Sequence, residues 1–124
     1  MSVMENITWR HVKSGDFMKD QEVVEMFIGY AENIDKNAPN EHWYVGVTVD
    51  PTARKYQHEN TKKITCNHFE PLVYYSDRQD AEDLEGLLGG EGFAIAKRDL
   101  VPIDETVESE RKHYVYIFLA VKNE

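Results

Sequence analysis

Residues 43 to 49, Trp-Tyr-Val-Gly-Val-Thr-Val, are all aromatic, β-branched or glycine, and Asp50-Pro51 follows at once. Aromatic and β-branched side chains suit a pleated, half-buried surface, so the run predicts a strand. Aspartate at a cap with proline at the first helical position favours a helix start, because the N–H that proline lacks would have no partner there. The strand-to-helix step is thereby fixed at one residue pair. The helix it opens extends to about Asn60.

Other elements are placed around this step. Val23, Val24, Phe27, Ile28, Ala31 and Ile34 recur at three- and four-residue spacing, which predicts an amphipathic helix within Asp16–Ile34, with Asp16 as its N-cap. Asn37-Ala38-Pro39-Asn40 ends that pattern. Leu72–Tyr75 is a short strand candidate. Ser76 with Gln79 fits a capping box for a helix reaching Leu88 and stopping at Gly89-Gly90. Phe93–Ala96 is a further strand candidate, Val101–Arg111 a charged loop, and Tyr114–Val121 the most strand-like run in the chain. The order predicts one α+β domain over residues 1–124, with a small mixed or antiparallel sheet flanked by about three helices.

Composition narrows the functional classes. Hydrophobic residues make up 41% of the 124 and charged residues 30%, enough apolar material for one core. No stretch approaches the ~20 apolar residues of a membrane span, and Met1–Trp9 has neither a basic start nor an apolar core of a signal peptide. Cys66 has no second cysteine to pair with, which agrees with a reducing compartment, cytoplasmic or nuclear. In that setting the glycosylation sequon Asn6-Ile7-Thr8 is a chance match. The net charge of −9 argues against tight non-specific binding of nucleic acid and suits a basic protein partner.

Tyr44-Val45-Gly46 on the predicted strand resembles the YIG element of the GIY-YIG nucleases. Arg54 stands eight residues after Gly46, where that family carries its catalytic arginine, and His58 follows four residues later at a position often histidine. Ala81-Glu82-Asp83-Leu84-Glu85 matches the family's A-x-x-x-E helix, with Glu85 in place of the metal-binding glutamate. The resemblance covers a core of residues 43–88. It implies a divalent-metal-dependent endonuclease hydrolysing DNA phosphodiesters with Mg²⁺ or Mn²⁺. Tyr44 would help activate a water, Arg54 would neutralise charge on the phosphate, His58 would assist, and Glu85 would hold the metal. Arg54 and His58, four apart, share one helix face.

The family's first strand, GIY, has no counterpart in its usual window, here Ile34–Asn40. Two segments could replace it. Phe27-Ile28-Gly29-Tyr30 lies further back, in helical surroundings. Tyr114-Val115-Tyr116-Ile117 could occupy the GIY position by circular permutation, with Tyr116 or Tyr114 as the missing tyrosine; residues 114–121 would then pair antiparallel with 43–49. The family's late asparagine also lacks a clear match. A catalytically inactive, acidic interaction module on the same fold is therefore the alternative function. Clustering of Lys55, Lys62, Lys63, Arg78, Lys97 and Arg98 around Arg54 would favour the nuclease.

Other features have plainer explanations. Tyr44 alone is a strand aromatic, Arg54 and His58 alone are exposed helix residues, and Glu85 alone belongs to an acidic face with Asp80, Glu82 and Asp83. His58, Cys66 and His68 do not match structural zinc spacings. Gly89-Gly90-Glu91-Gly92 lacks the Lys-Ser/Thr ending of a phosphate loop and fits a helix cap with a turn. Trp9 and Trp43 are expected in the core or at a sheet edge.

Overall fold

The computed structural model describes residues 12–35, 43–62, 64–96 and 112–122. Its elements are β1 (Lys13–Ser14), α1 (Asp20–Asp35), β2 (Trp43–Thr48), α2 (Pro51–Lys62), β3 (Ile64–Tyr75), α3 (Arg78–Gly90), β4 (Ala94–Ile95) and β5 (His113–Lys122). The five strands form one mixed sheet in the order β1-β3-β5-β2-β4. The chain is thus a small α+β fold, as expected. The expected loop 101–111, the breaker segment 37–40 and Trp9 lie outside the described residues.

The strand-to-helix step forms as its residues dictate. Asp50 Oδ1 accepts from the Ala53 N–H at 3.1 Å, capping α2 behind Pro51. Two other helix starts differ from expectation. Asp16 does not cap α1; its carboxylate accepts instead from the N–H and hydroxyl of Ser76, at 3.1 and 3.0 Å, tying the β1–α1 loop to the end of β3. The N-cap of α3 is Asp77 rather than Ser76, accepting from Gln79 N–H at 2.8 Å. At the far end of α3, Gly92, with φ 108°, makes the left-handed turn that a side chain would resist.

β3 is much longer than Leu72–Tyr75, because Ile64–Pro71 pairs with β5 as well. The register slips between Asn67 and Glu70 and again between Pro71 and Val73. Bulges and a proline break the alternation by which a strand is recognised in sequence.

Alternation along β2 and β5 divides the core between the two sheet faces. Trp43, Val45, Val47, Val115 and Ile117 join Val23, Phe27, Ala31, Ala81, Leu84 and Leu88, so α1 and α3 cover one face. Tyr116 and Phe118 join Cys66, Phe69 and Ala96, with Tyr44 packed against them, on the face covered by α2.

Candidate functional site

Among the α2 residues whose exposure is described, the buried ones are Pro51, Arg54, Lys55 and His58. Their spacing of three, four and seven residues is that of a core-facing helical stripe. Its occupants, however, are a proline and three basic groups. Arg54, Lys55 and His58 are 2%, 1% and 2% exposed. Groups of this kind enter an interior at tolerable cost only when hydrogen-bonded or paired, and for His58 the sheet beneath supplies aromatic neighbours and a hydroxyl partner.

β5 brings the decisive one. It pairs antiparallel with β2 in the register Tyr44↔Phe118, Gly46↔Tyr116 and Thr48↔Tyr114. Gly46 is required there: a methyl group on its Cα would collide with the hydroxyl and ring of Tyr116, which crosses over it. The Tyr116 hydroxyl and His58 Nε2 share a buried hydrogen bond of 2.8 Å, its direction set by the imidazole tautomer. Around it the rings are close packed. Phe69 stacks on Tyr116 with centroids 4.8 Å apart, Tyr44 on Phe118 at 5.4 Å, and His58 lies 5.3 Å from Phe118. Glu59 completes the contact between α2 and β3, its Oε2 accepting from Cys66 N–H at 3.0 Å. Burial, and secondarily Glu59, pushes the Cys66 thiol far above its ordinary value; Lys55 opposes this in part.

The structure therefore gathers Tyr44, Arg54, His58 and Tyr116 between α2 and the sheet, and it does not bring Glu85 to them. Glu85 belongs to α3, whose Ala81, Leu84 and Leu88 pack on the opposite face of the sheet. Its carboxyl is pushed up to about 7, by burial first and by Glu82 second, with Arg78 opposing. Arg78 is engaged nearby, its Nε donating to Glu82 at 2.9 Å. Among the described residues, no group of three or more His, Cys, Asp or Glu side chains is gathered as for a metal ion. Glu85, on the helix that packs against the opposite face of the sheet, therefore stands apart from Arg54, His58 and Tyr116.

The remaining sequence candidates fall elsewhere. Phe27–Tyr30 is interior to α1 and forms no strand. Of the basic residues expected around Arg54, Lys55 is beside it and Arg78 is on α3, while Lys63, Lys97, Arg98 and the Lys62 side chain lie outside the described ones. Phe69 and Phe118, which enclose the His58–Tyr116 pair, were not marked by any sequence motif. Phe118 is signalled only by alternation with core residues on the other face, and Phe69, at the register slip of β3, lacks even that.

The chain matches no protein-family model, no curated protein and no solved structure. Among the described residues no helix is long and apolar enough to cross a membrane.

Proposed function

We propose that this chain is a non-catalytic domain on the plan of the GIY-YIG nucleases, acting as an acidic module that binds a basic protein. The observation that carries this reading is the closure of the would-be active site. Arg54, His58 and Tyr116 are 2%, 2% and 1% exposed. An arginine that neutralises a scissile phosphate must present its planar fork to that phosphate, and here α2 packs its arginine against the sheet. The residues serve instead as a polar core that fixes α2 on the sheet. The net charge of −9 repels a polyanion and draws basic surfaces. A chain whose one cysteine is a buried thiol suits the cytoplasm or nucleus.

One observation favours a second reading, a metal-dependent DNA endonuclease. The β2–β5 pairing places Tyr116 2.8 Å from His58 on the arginine helix, as a permuted GIY strand would place its tyrosine. In that reading Arg54 holds the phosphate and Tyr44 and Tyr116 position the attacking water. The discriminating experiment is nicking of supercoiled and branched DNA with Mg²⁺ or Mn²⁺, comparing wild type, Arg54→Ala and Glu85→Ala. No cutting on either substrate is the expected result. Metal-dependent cutting that disappears in a folded Arg54→Ala variant would overturn the non-catalytic reading.

A further inference from the structure

A separate concave site opens where α1 passes β3. Tyr30, Asn67, His68 and Glu70 line a cleft of about 390 Å³, a volume within the range of small-ligand sites. The cleft is created by the first β3 bulge. His68 there adopts φ 57°, a left-handed conformation that is unfavourable for a non-glycine residue and persists only where its surroundings hold it. Tyr30 supplies part of that hold, donating its hydroxyl proton to the His68 carbonyl at 3.0 Å. Behind the wall, Trp43 meets Tyr30 edge-on at 6.1 Å and lies 6.4 Å from the His68 ring.

The lining is rich in acceptors, set beside the donor groups of the Asn67 amide and the His68 imidazole. Tyr30 has committed its proton to His68, so its oxygen faces a ligand with lone pairs only. The His68 carbonyl and the Asn67 amide oxygen are further acceptors. Glu70, 8% exposed, sits close enough that its charge adds to burial in pushing the Tyr30 hydroxyl upward. A carboxylate offers about four lone-pair positions to donors. Anions are disfavoured by Glu70, and the donor set is too oxygen-poor in carboxylates for a hard metal ion.

We infer that this cleft takes the guanidinium group of an arginine side chain presented by a protein partner. A planar fork of five donors matches acceptors spread over a carboxylate, a carbonyl, a phenol and an amide, where a compact ammonium would reach fewer. The acidic chain draws such a group toward it. The inference names the chemistry of the partner in the interaction reading above and rests on that reading for the partner being a protein. The cleft itself is tested without it.

The test is an NMR titration of the ¹⁵N-labelled full chain with N-acetyl-arginine methylamide, the corresponding lysine compound and the neutral norleucine compound. Saturable shifts at the amides of residues 67–70 and the Trp43 indole are expected with arginine, weaker ones with lysine and none with norleucine. Glu70→Gln should weaken arginine binding about tenfold or more, since a charge-assisted hydrogen bond is lost. Tyr30→Phe, which removes an acceptor and loosens His68, should weaken it several-fold and serves if Glu70→Gln fails to fold. No saturable shift at the cleft, an equal response to norleucine, or lysine binding as tightly as arginine would overturn the inference. DNA cutting with a cleft that binds arginine would sink only the non-catalytic reading; a silent cleft with no cutting would sink only this one.

Discussion

The Glu85 carboxyl gives the sharpest prediction, because folding changes its affinity for a proton. In the unfolded chain this group has an ordinary value near 4.5, and in the folded one burial beside Glu82 lifts it to about 7. A group raised on folding contributes its full stability below the unfolded value and loses it as pH rises through the folded one. Stability attributable to Glu85 therefore falls from about pH 4.5 to about pH 7 and stays low above. Two and a half pH units at about 1.36 kcal/mol each set an upper bound near 3 kcal/mol. Glu85 is only half-buried, so solvent screening reduces the expected value to about 1–2 kcal/mol. Glu85→Gln keeps the shape and removes the ionisation. Urea denaturation should find wild type and variant equal in stability below pH 4.5, and the variant more stable by about 1–2 kcal/mol at pH 8. The difference between the two proteins isolates this residue from every other titrating group. A variant that gains nothing at pH 8, or loses stability there, would refute the argument. The latter result would mean that the ionised carboxylate has a favourable partner, such as a bound cation.

Further outcomes follow from the packing around Tyr116. Gly46→Ala should destabilise by about 1–3 kcal/mol, since overpacking a filled site forces side chains and backbone aside. Gly46→Ala combined with Tyr116→Leu should cost less than the two single changes summed, in a double-mutant cycle read by thermal denaturation. Tyr116→Phe should cost about 1–3 kcal/mol, because it leaves the buried His58 Nε2 without its 2.8 Å partner; equal melting temperatures would show that bond to be unimportant. Cys66, 3% exposed and with its thiol held protonated, should resist iodoacetamide in the native protein at pH 8 and react once urea unfolds it, as mass spectrometry would record.

What could be anticipated from the sequence was whatever is encoded by neighbours along the chain. The β2–α2 step rests on Trp43–Thr48 and Asp50-Pro51, all adjacent, and appears in the structure within a residue or two. The apolar stripe of α1 is likewise local, though its start was displaced because Asp16 found a partner 60 residues away in Ser76. The first half of β3 escaped notice because two register slips and Pro71 destroy the period of two. The buried stripe of α2 was invisible for a different reason. Hydrophobic periodicity looks for apolar residues at helical spacing, and here the spacing is present while the residues are Arg54, Lys55 and His58. Their grouping with Tyr116 followed from the resemblance to a family and the permutation it suggested, not from periodicity. The cleft at Glu70 had no sequence signal at all, since it depends on the backbone turn at His68.

The central position of β5 has a consequence for how the molecule is made. Residues 113–122 pair with β3 on one side and β2 on the other, yet they leave the ribosome after every element they hold together. Until they emerge, β2 and β3 present bare, apolar edges to whatever else is in reach, the situation in which strands pair with the wrong chain. Closing the sheet also requires loops of great length to be drawn in before any pairing compensates for their lost freedom, so assembly should be slow for a domain of this size. Strand order thus makes the interval before residues 113–122 emerge the one in which these two edges are most open to mispairing.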